Sequence, residues 1–239
     1  MTSSRKQLDF YATHYGAPAT FNNRLKNIYG QTLKLRPKAL LDIGCGNGIL
    51  LGEFLKAGIN AQGVDVSKEA VNICKGKGFC ATEIEPEQPL PFSDAHFDVI
   101  TCSEVIEHVF SPDFLLEEIY RILSPDGYLI LTTPNLGWWV NRLDLFLGYQ
   151  PNYTEVSSRY DLGKRTCASN VSGHIRVFTH RSLIELLEIY GFSVIRQFGT
   201  EEENITNHAL AWFDRQLKRR LSLASNIGVV CKKNDSERH

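Results

Sequence analysis

The stretch from Leu40 to Gly48, which reads Leu-Leu-Asp-Ile-Gly-Cys-Gly-Asn-Gly, constrains the fold of this chain more than any other. An apolar run from Ala39 to Ile43 leads into its glycines, and apolar residues at helical spacing follow from Ile49 to Ala57. Such a run is typical of a strand buried on both faces, and the spacing that follows predicts an amphipathic helix. Glycines between the two can adopt positive φ and carry no Cβ. The sequence therefore predicts a turn where a ligand lies against bare backbone at the amino end of a helix.

Two common nucleotide-binding loops do not fit this turn. A phosphate-binding loop needs Gly-Lys-Ser/Thr, but Gly48 is followed by Ile49 and Leu50. A dinucleotide loop, G-x-G-x-x-G starting at Gly44, needs glycine at position 49. The pattern D-x-G-x-G-x-G, from Asp42 to Gly48, resembles instead the first motif of the class I S-adenosylmethionine-dependent methyltransferases. The resemblance implies that the cofactor is bound by Asp42, Gly44, Cys45, Gly46 and Gly48. An ordinary glycine-rich turn is the structural alternative.

A second short strand ends in an acid. Ala61 to Val66 reads Ala-Gln-Gly-Val-Asp-Val, and Ser67 follows as an expected helix N-cap. The ionised carboxylate of Asp65 offers only acceptors, so it can bind both hydroxyls of a ribose. The methyltransferase family places its ribose-binding acid at this point, whereas the alternative is a local Asx turn. The resemblance extends the cofactor site to Val66, Glu83, Ser103 and Tyr11, with Glu83 as the candidate partner of the adenine amine.

Length and composition suit one α/β domain with an insertion. The chain has 239 residues, of which 43% are hydrophobic, and its net charge of −1 gives no bulk reason to expect nucleic acid as a partner. No run approaches the length of a membrane span, and the amino terminus has no apolar signal core. The six cysteines form no C-x-x-C pair, which favours reduced thiols. These features predict a soluble cytoplasmic protein, and they carry no signal for its oligomeric state.

The remaining segments alternate between strand and helix patterns, apart from one irregular stretch. Leu90-Pro-Phe before Phe97-Asp-Val-Ile, and the Thr-Pro-Asn at 133–135, resemble further stretches of the same family. The predicted later strands are Phe79 to Thr82, Asp98 to Cys102, Tyr128 to Thr132 after a turn at 124–127, Phe192 to Phe198, and Asn226 to Lys232. The resemblance implies a three-layer, Rossmann-like α/β methyltransferase fold. Its seven-stranded sheet is mostly parallel, with an antiparallel last strand and an insertion after strand five.

Three regions follow from this organisation. Residues 1–36 are predicted to form an amino-terminal helical lid, residues 37–136 and 174–233 the methyltransferase core, and residues 137–173 an insertion. A broken helical pattern covers Leu8 to Tyr29, where Tyr11 or Tyr15 either touches the methionine end of the cofactor or packs in the core. The insertion is a substrate lid, a helix packed on the core edge, or a peripheral membrane contact through Trp138, Trp139, Phe146 and Arg142. A further amphipathic helix is predicted from Ile205 to Leu223.

The chain after strand four carries a cluster of acids and a histidine. Glu104, Glu107 and His108 are spaced i, i+3 and i+4, so a helix beginning here would put them on one face. Two carboxylates and an imidazole at the carboxyl edge of a sheet can hold Mg²⁺ or Mn²⁺, with His174 as a fourth ligand. The alternative is that Glu104 and His108 line the cofactor pocket while Glu107 caps a helix. The pattern resembles ubiquinone-pathway O-methyltransferases and small-RNA terminal-ribose 2′-O-methyltransferases.

The resemblance implies an S-adenosylmethionine-dependent methyltransferase, and a small-molecule hydroxyl is the expected acceptor: a sugar, a quinone precursor or a natural product. The predicted catalytic residues are His108, His174 and Glu104, with a histidine as general base if no metal is bound. An RNA ribose methyltransferase is disfavoured because the expected basic face is missing. A non-catalytic cofactor-binding regulatory module is the second alternative.

Overall fold

The computed structural model describes residues 20–165, 172–200, 202, 205 and 207–234. The helices are α1 (Asn23–Leu35), α2 (Ile49–Lys56), α3 (Lys68–Gly76), α4 (Pro112–Ile122), α5 (Trp139–Phe146), α6 (His180–Ile189) and α7 (His208–Leu217), followed by a 3₁₀ turn at Leu221–Leu223. The strands are β1 (Ala39–Ile43), β2 (Asn60–Asp65), β3 (Ala81–Glu83), β4 (Phe97–Ser103), β5 (Leu123–Pro134), β6 (Phe192–Thr200) and β7 (Asn226–Lys233).

All seven strands form one sheet in the order β3-β2-β1-β4-β5-β7-β6. Strands β1 to β5 pair in parallel, and β7 runs antiparallel to both β5 and β6. The predicted mixed sheet with an antiparallel last strand is therefore confirmed. The strand order reverses at β1, between β2 and β4, and Ile43 pairs with both Val64 and Cys102. Because ligands of open α/β sheets bind beyond the carboxyl ends of strands at such a reversal, this edge is where a site is expected.

The sheet is buried on both faces, as the apolar run of β1 predicts. Leu40 and Leu41 are both fully buried, yet successive strand residues point to opposite faces. Leu41 packs in a cluster with Phe97 and Ile100, whereas Leu40 packs with Phe54 in a second cluster. The core thus forms two layers that hold β1 rigidly between them, and the loop that follows β1 begins from a fixed point.

No helix begins at Glu104, so Glu104, Glu107 and His108 do not share a helical face. Glu104 donates its N–H to the carbonyl of Thr132 at 3.0 Å, and its φ is +57°, which no right-handed helix accommodates. A tight turn follows, closed by the 2.9 Å hydrogen bond from His108 N to Val105 O. The next helix, α4, begins only at Pro112, capped by the Ser111 side chain. Pairing of the β4 end with β5 therefore overrides the local helical spacing.

Three other boundaries differ from the sequence prediction. The helix expected from Ile205 to Leu223 is α7, His208–Leu217, and a separate 3₁₀ turn follows it. The turn expected at 124–127 lies within β5 as an irregularity, with Asp126 at a φ of +60°. The described part of the amino-terminal helix starts at Asn23, where the Asn22 side chain accepts a hydrogen bond from Leu25 N. Tyr11 and Tyr15 lie outside the described residues.

The insertion after β5 begins with α5 and continues as irregular chain that returns to β4. The carbonyl of Glu107 accepts hydrogen bonds from the N–H groups of Ile175 and Arg176, at 2.9 and 3.0 Å. This pairing carries the end of the insertion to the sheet edge where β1, β2 and β4 finish. None of the helices in the described ranges is long and apolar enough to cross a membrane.

Candidate active site

The glycines of the loop after β1 take the backbone conformation that the sequence predicts. Gly44, Gly46 and Gly48 have φ values of +70°, +52° and +78°. A Cβ on Gly44 would lie 2.3 Å from the Val105 side chain, and one on Gly48 would lie 2.8 Å from Cys74 Sγ. Both approaches are shorter than carbon contacts allow, so glycine is required for conformation and for space.

Asp65 at the end of β2 supports this loop and faces the cleft beside it. Its Oδ2 accepts a hydrogen bond from Gly46 N and its Oδ1 accepts one from Ser67 N, both at 2.8 Å. Burial raises the pKa of the carboxyl, and the backbone donors oppose this rise. Each carboxylate oxygen keeps a second lone pair, so Asp65 can still accept hydrogen bonds from two ribose hydroxyls.

Asp42 plays a supporting part beneath the loop. Its Oδ1 accepts a 2.7 Å hydrogen bond from Thr101 Oγ1, and the residue is buried within the sheet. Burial, opposed by the Thr101 hydrogen bond and assisted by the charge of Asp65, raises the pKa of Asp42 to about 7. Such a carboxyl stabilises the end of β1 and does not line the cleft.

A cleft of about 950 Å³, open solvent included, runs from the glycine loop to the turn after β4. This is the size of a small-molecule cofactor site. Gly44, Asp65, Val66, Glu104 and His108 are among its lining residues. The apolar side chains that line it include Ile84, Leu90, Phe110, Phe114 and Leu115. A ligand with an apolar ring and several polar groups fits this lining.

The other predicted cofactor residues within the described ranges do not line this cleft. Cys45, Gly46 and Gly48 belong to the loop, and Ser103 hydrogen-bonds to Thr132 at 3.0 Å between hydroxyl oxygens. Glu83 is exposed at the end of β3, and the next residues, Ile84 and Glu85, line the cleft in its place. Tyr11 falls outside the described residues.

Three of the four residues predicted as metal ligands lie together. Glu107, His108 and His174 each offer a ligand atom, and these atoms lie within 4.8 Å of one another. Glu107 is buried, and its Oε2 accepts a hydrogen bond from Thr133 Oγ1 at 2.9 Å. Its Oε1 has no hydrogen-bond partner and lies 4.0 Å from His108 Nε2. A buried carboxylate oxygen left unpaired is costly unless a proton or a cation occupies the space beside it.

The Nδ1 atom of each histidine lies beside a backbone carbonyl. His108 Nδ1 lies 3.2 Å from the carbonyl of Gly173, and His174 Nδ1 lies 3.1 Å from the carbonyl of Tyr153. A carbonyl oxygen can only accept, so each neutral ring carries its proton on Nδ1 and leaves Nε2 with a lone pair. Metal-binding histidines are oriented in this way by a carbonyl on the other nitrogen.

Burial dominates the protonation of all three groups. It lowers the pKa of His108 to about 4, with the neighbouring His174 charge as a second cause, and it also lowers the pKa of His174. Burial, followed by the charge of Glu104, raises the pKa of Glu107 well above its usual range. Both imidazoles are therefore neutral at pH 7, which is the form that binds a metal or accepts a proton.

Glu104, the fourth predicted ligand, is engaged elsewhere. Its Oε2 lies 3.1 Å from Arg24 Nη1, and its Oε1 accepts a hydrogen bond from Thr132 Oγ1 at 3.1 Å. From the sequence, Arg24 could either meet a carboxylate or stay exposed on its helix; in the structure it pairs with the carboxylate of Glu104, and its Nε is buried without a hydrogen-bond partner. Its position one turn before the buried Ile28 is the signal that α1 directs it inward.

The insertion supplies two further residues that sequence reasoning missed. Besides the Tyr153 carbonyl, Glu155 accepts hydrogen bonds from Ser172 Oγ at 2.7 Å, from Ser172 N, and from Gly173 N at 3.0 Å. These contacts hold the chain on the amino-terminal side of His174. No local pattern distinguishes Glu155 from other exposed acids in the sequence.

Comparison with known proteins places the chain among methyltransferase domains. The family model described as "Methyltransferase domain" matches residues 19–197. A ubiquinone biosynthesis O-methyltransferase of Actinobacillus pleuropneumoniae is 34% identical over 122 residues, which are 47% of this chain and 52% of that protein. An uncharacterized protein of Methanocaldococcus jannaschii is 30% identical over 203 residues, 81% of this chain and 75% of its own length. The chain thus spans about half the length of the curated O-methyltransferase it matches.

Solved structures agree in fold. A methyltransferase dependent on S-adenosylmethionine from Archaeoglobus fulgidus has a TM-score of 0.59 at 18% identity, covering 87% of this chain and 94% of that one. Another from Mesorhizobium loti has a TM-score of 0.55 at 16% identity, covering 87% of this chain and all of that one.

Proposed function

Because the chain belongs to the methyltransferase domain family, we propose that it is an S-adenosylmethionine-dependent methyltransferase that methylates a hydroxyl oxygen of a small molecule with a second oxygen beside it. The observation that carries the proposal is the convergence of Glu107, His108 and His174, of which His108 lines the cleft together with the glycine loop. Neutral nitrogen and carboxylate groups at that point can hold an acceptor hydroxyl and move its proton.

The cofactor fits the cleft from the glycine loop onward. Asp65 would accept hydrogen bonds from the ribose hydroxyls, and the apolar wall with Leu90 and Leu115 would pack against the adenine. Arg24, whose Nε is buried and unpartnered beside the cleft residue Glu104, would bind the methionine carboxylate. When bound, S-adenosylmethionine supplies a methyl group made electrophilic by its sulfonium.

The trio of Glu107, His108 and His174 would bind a divalent cation. One carboxylate and two imidazole nitrogens suit Mn²⁺ or a later first-row metal better than Mg²⁺, which prefers oxygen ligands. The unpaired Oε1 of Glu107 fits this role, because a cation would replace the proton that burial otherwise favours. When bound, such a metal acidifies an acceptor hydroxyl and orients a neighbouring oxygen.

Within the site, the chain's own residues orient the reactants. The carbonyls of Gly173 and Tyr153 would fix the two imidazole rings through their Nδ1 atoms and leave both Nε2 atoms as acceptors. Alignment of the acceptor with the methyl group can supply several kcal/mol of the barrier, about 7 to 11 kcal/mol for well-oriented reactions. Without a metal, the neutral Nε2 of His108 or His174 would accept the hydroxyl proton.

Similarity to relatives supports oxygen as the acceptor atom. The matched segment of the Actinobacillus pleuropneumoniae protein, which is named for O-methylation in ubiquinone biosynthesis, covers 47% of this chain. The acceptor itself is proposed only as a class: a ring or sugar with two neighbouring oxygens that can reach the trio together.

The test is transfer of labelled methyl from S-adenosylmethionine into a fractionated metabolite extract, with and without a strong chelator. We expect label in a small-molecule fraction, and we expect the chelator to abolish it. His108→Ala should remove transfer while cofactor affinity stays within a few-fold of wild type. Full transfer by that variant would contradict both the metal and the general-base roles. Transfer that ignores the chelator would leave a histidine base as the mechanism.

A further inference from the structure

Two neighbouring helices, α5 and α7, expose large apolar residues and each bury an acidic one. In α5 the buried residues are Asn141 and Asp144, and in α7 the buried residue is Asp214. Phe146 is 86% exposed and Trp212 is 62% exposed. A surface helix of a water-soluble domain has the opposite arrangement, with its apolar stripe toward the core.

Hydrogen bonds explain why the polar residues face inward. Asp214 Oδ1 accepts from the indole N–H groups of Trp138 and Trp139, both at 2.7 Å, and Asp214 Oδ2 accepts from Glu202 N at 2.9 Å. In α5, Asp144 Oδ1 accepts from Arg165 Nε at 2.7 Å. These bonds hold both helices in an orientation that directs their apolar residues outward.

The exposed residues form one surface across the two helices. The rings of Trp139 and Phe213 meet edge to face at 5.3 Å between centroids, which joins α5 to α7. Leu143 and Phe146 follow Trp139 along the same helical stripe, and Leu210 lies one turn before Phe213. We name the whole the α5–α7 surface; its exposed apolar residues are Leu143, Leu145, Phe146, Leu147, Leu210, Trp212 and Phe213.

Cations border this surface. Arg142 lies in α5, Arg215 lies in α7, and Lys218, Arg219 and Arg220 follow the end of α7. The acids within the same two helices, Asp144 and Asp214, are buried and hydrogen-bonded. Arg219 and Arg220 are exposed, so the end of α7 carries positive charge next to aromatic and aliphatic side chains.

We propose that the α5–α7 surface binds peripherally to a membrane that contains anionic lipids. Phe146, Trp212 and their neighbours would enter the boundary between headgroups and acyl chains, and Arg219 and Arg220 would contact the lipid phosphates. A membrane fits better than a second copy of the chain, because two copies of one positive surface would repel each other. The contact would also bring the insertion that carries Tyr153 and Glu155 close to the membrane.

The test is sedimentation of the full chain with vesicles of phosphatidylcholine, with or without phosphatidylglycerol. We expect binding to the anionic vesicles, reduced at high salt, and little binding to phosphatidylcholine alone. The double variant Phe146→Ser, Trp212→Ser should bind at least about ten-fold more weakly, because it loses two buried aromatic groups. The matched control is Ile189→Ser, Ile195→Ser, which removes two exposed apolar residues elsewhere and should bind as wild type.

Two further double variants test how much the basic residues contribute to membrane binding. Arg219→Gln, Arg220→Gln should weaken binding about five-fold per residue, whereas Lys68→Gln, Lys75→Gln on α3 should not. Cofactor affinity should be unchanged in all four variants, which establishes that each is folded. The proposal is overturned if the wild type does not bind anionic vesicles, if binding ignores phosphatidylglycerol and salt, or if the serine variant binds equally well. If the protein instead self-associates through Phe146 and Trp212 and does not bind vesicles, the proposal is overturned, and the partner of this surface is a second copy of the chain.

Discussion

Arg24 on α1 and Glu104 after β4 form an ion pair, with 3.1 Å between Nη1 and Oε2. The pair joins the first described helix to the turn that lines the cleft. Glu104 holds a positive φ of +57°, a conformation that is uncommon outside glycine and is often found at functional sites. The guanidinium is thereby fixed beside the cleft, with its buried Nε still without a partner.

Arg24→Gln should weaken S-adenosylmethionine binding by about ten-fold or more, because a hydrogen bond to a charged group contributes about 1.5 to 3 kcal/mol. Methylthioadenosine, which lacks the methionine carboxylate, should bind the variant and the wild type alike. Calorimetric titration with both ligands measures this difference. Lys34→Gln, on the exposed side of the same helix, is the control. Equal weakening for both ligands would show that Arg24 supports the fold and does not bind the carboxylate.

Asp65→Asn should weaken cofactor binding by at least about ten-fold, because an amide offers one acceptor oxygen where the carboxylate offers two. Asp98 provides a matched control, since it accepts hydrogen bonds from Lys38 N and Ala39 N at 2.8 and 2.9 Å, at the opposite end of the sheet. Asp98→Asn should affect stability and leave cofactor affinity unchanged. Equal affinities for the two variants would reject the ribose-binding role.

Glu155→Ala should lower kcat about ten-fold or more, because small displacements of a reacting group can cost up to about a hundred-fold. The variant loses the hydrogen bonds that hold Ser172 and Gly173 ahead of His174. Cofactor affinity should change by less than two-fold, roughly the limit expected for a site that Glu155 does not touch. Glu185→Ala, which removes an exposed partner of Arg181, is the control. Steady-state kinetics measure the effect. An unchanged kcat would contradict the positioning role of Glu155, because it would show that other contacts hold His174 in place.

Asp42→Asn should change how stability depends on pH. The pKa of Asp42 rises on folding from 3.8 to about 7, so the folded protein binds the proton more tightly between these values. The contribution of Asp42 to the free energy of unfolding therefore decreases as the pH rises from about 4 to 7. The asparagine variant should lack this decrease, and urea denaturation across that range measures it. Parallel pH profiles for variant and wild type would contradict the buried, proton-binding state of Asp42.

The parts of the molecule that could be predicted from sequence are those set by short-range rules. The glycine turn, Asp65 and the Ser67 cap of α3 each depend on neighbours within a few residues, and each lies where the sequence places it. The fold class follows from the order of these units and from the family resemblance.

The sequence alone did not determine the structure where distant pairing decides the local conformation. Glu104 leaves the helical region because it extends the β4–β5 pairing through Thr132. Arg24 and Glu155 take their roles from partners that are far along the chain or across a loop, and residue type alone does not identify those partners. A helical hydrophobic pattern would place the charged Asp214 of α7 on the exposed face. Asp214 faces inward instead, because hydrogen bonds from two tryptophan N–H groups compensate its burial.

Equilibrium binding of Mn²⁺ to the protein in the presence of S-adenosylhomocysteine tests the central claim most directly. The account predicts one Mn²⁺ site in the wild type that is lost in Glu107→Gln and in His108→Ala. Glu118→Gln, which changes a cleft-lining acid that pairs with Arg121, should keep the site. No bound Mn²⁺ in the wild type, or equal binding by the Glu107 variant, would contradict a metal at this trio.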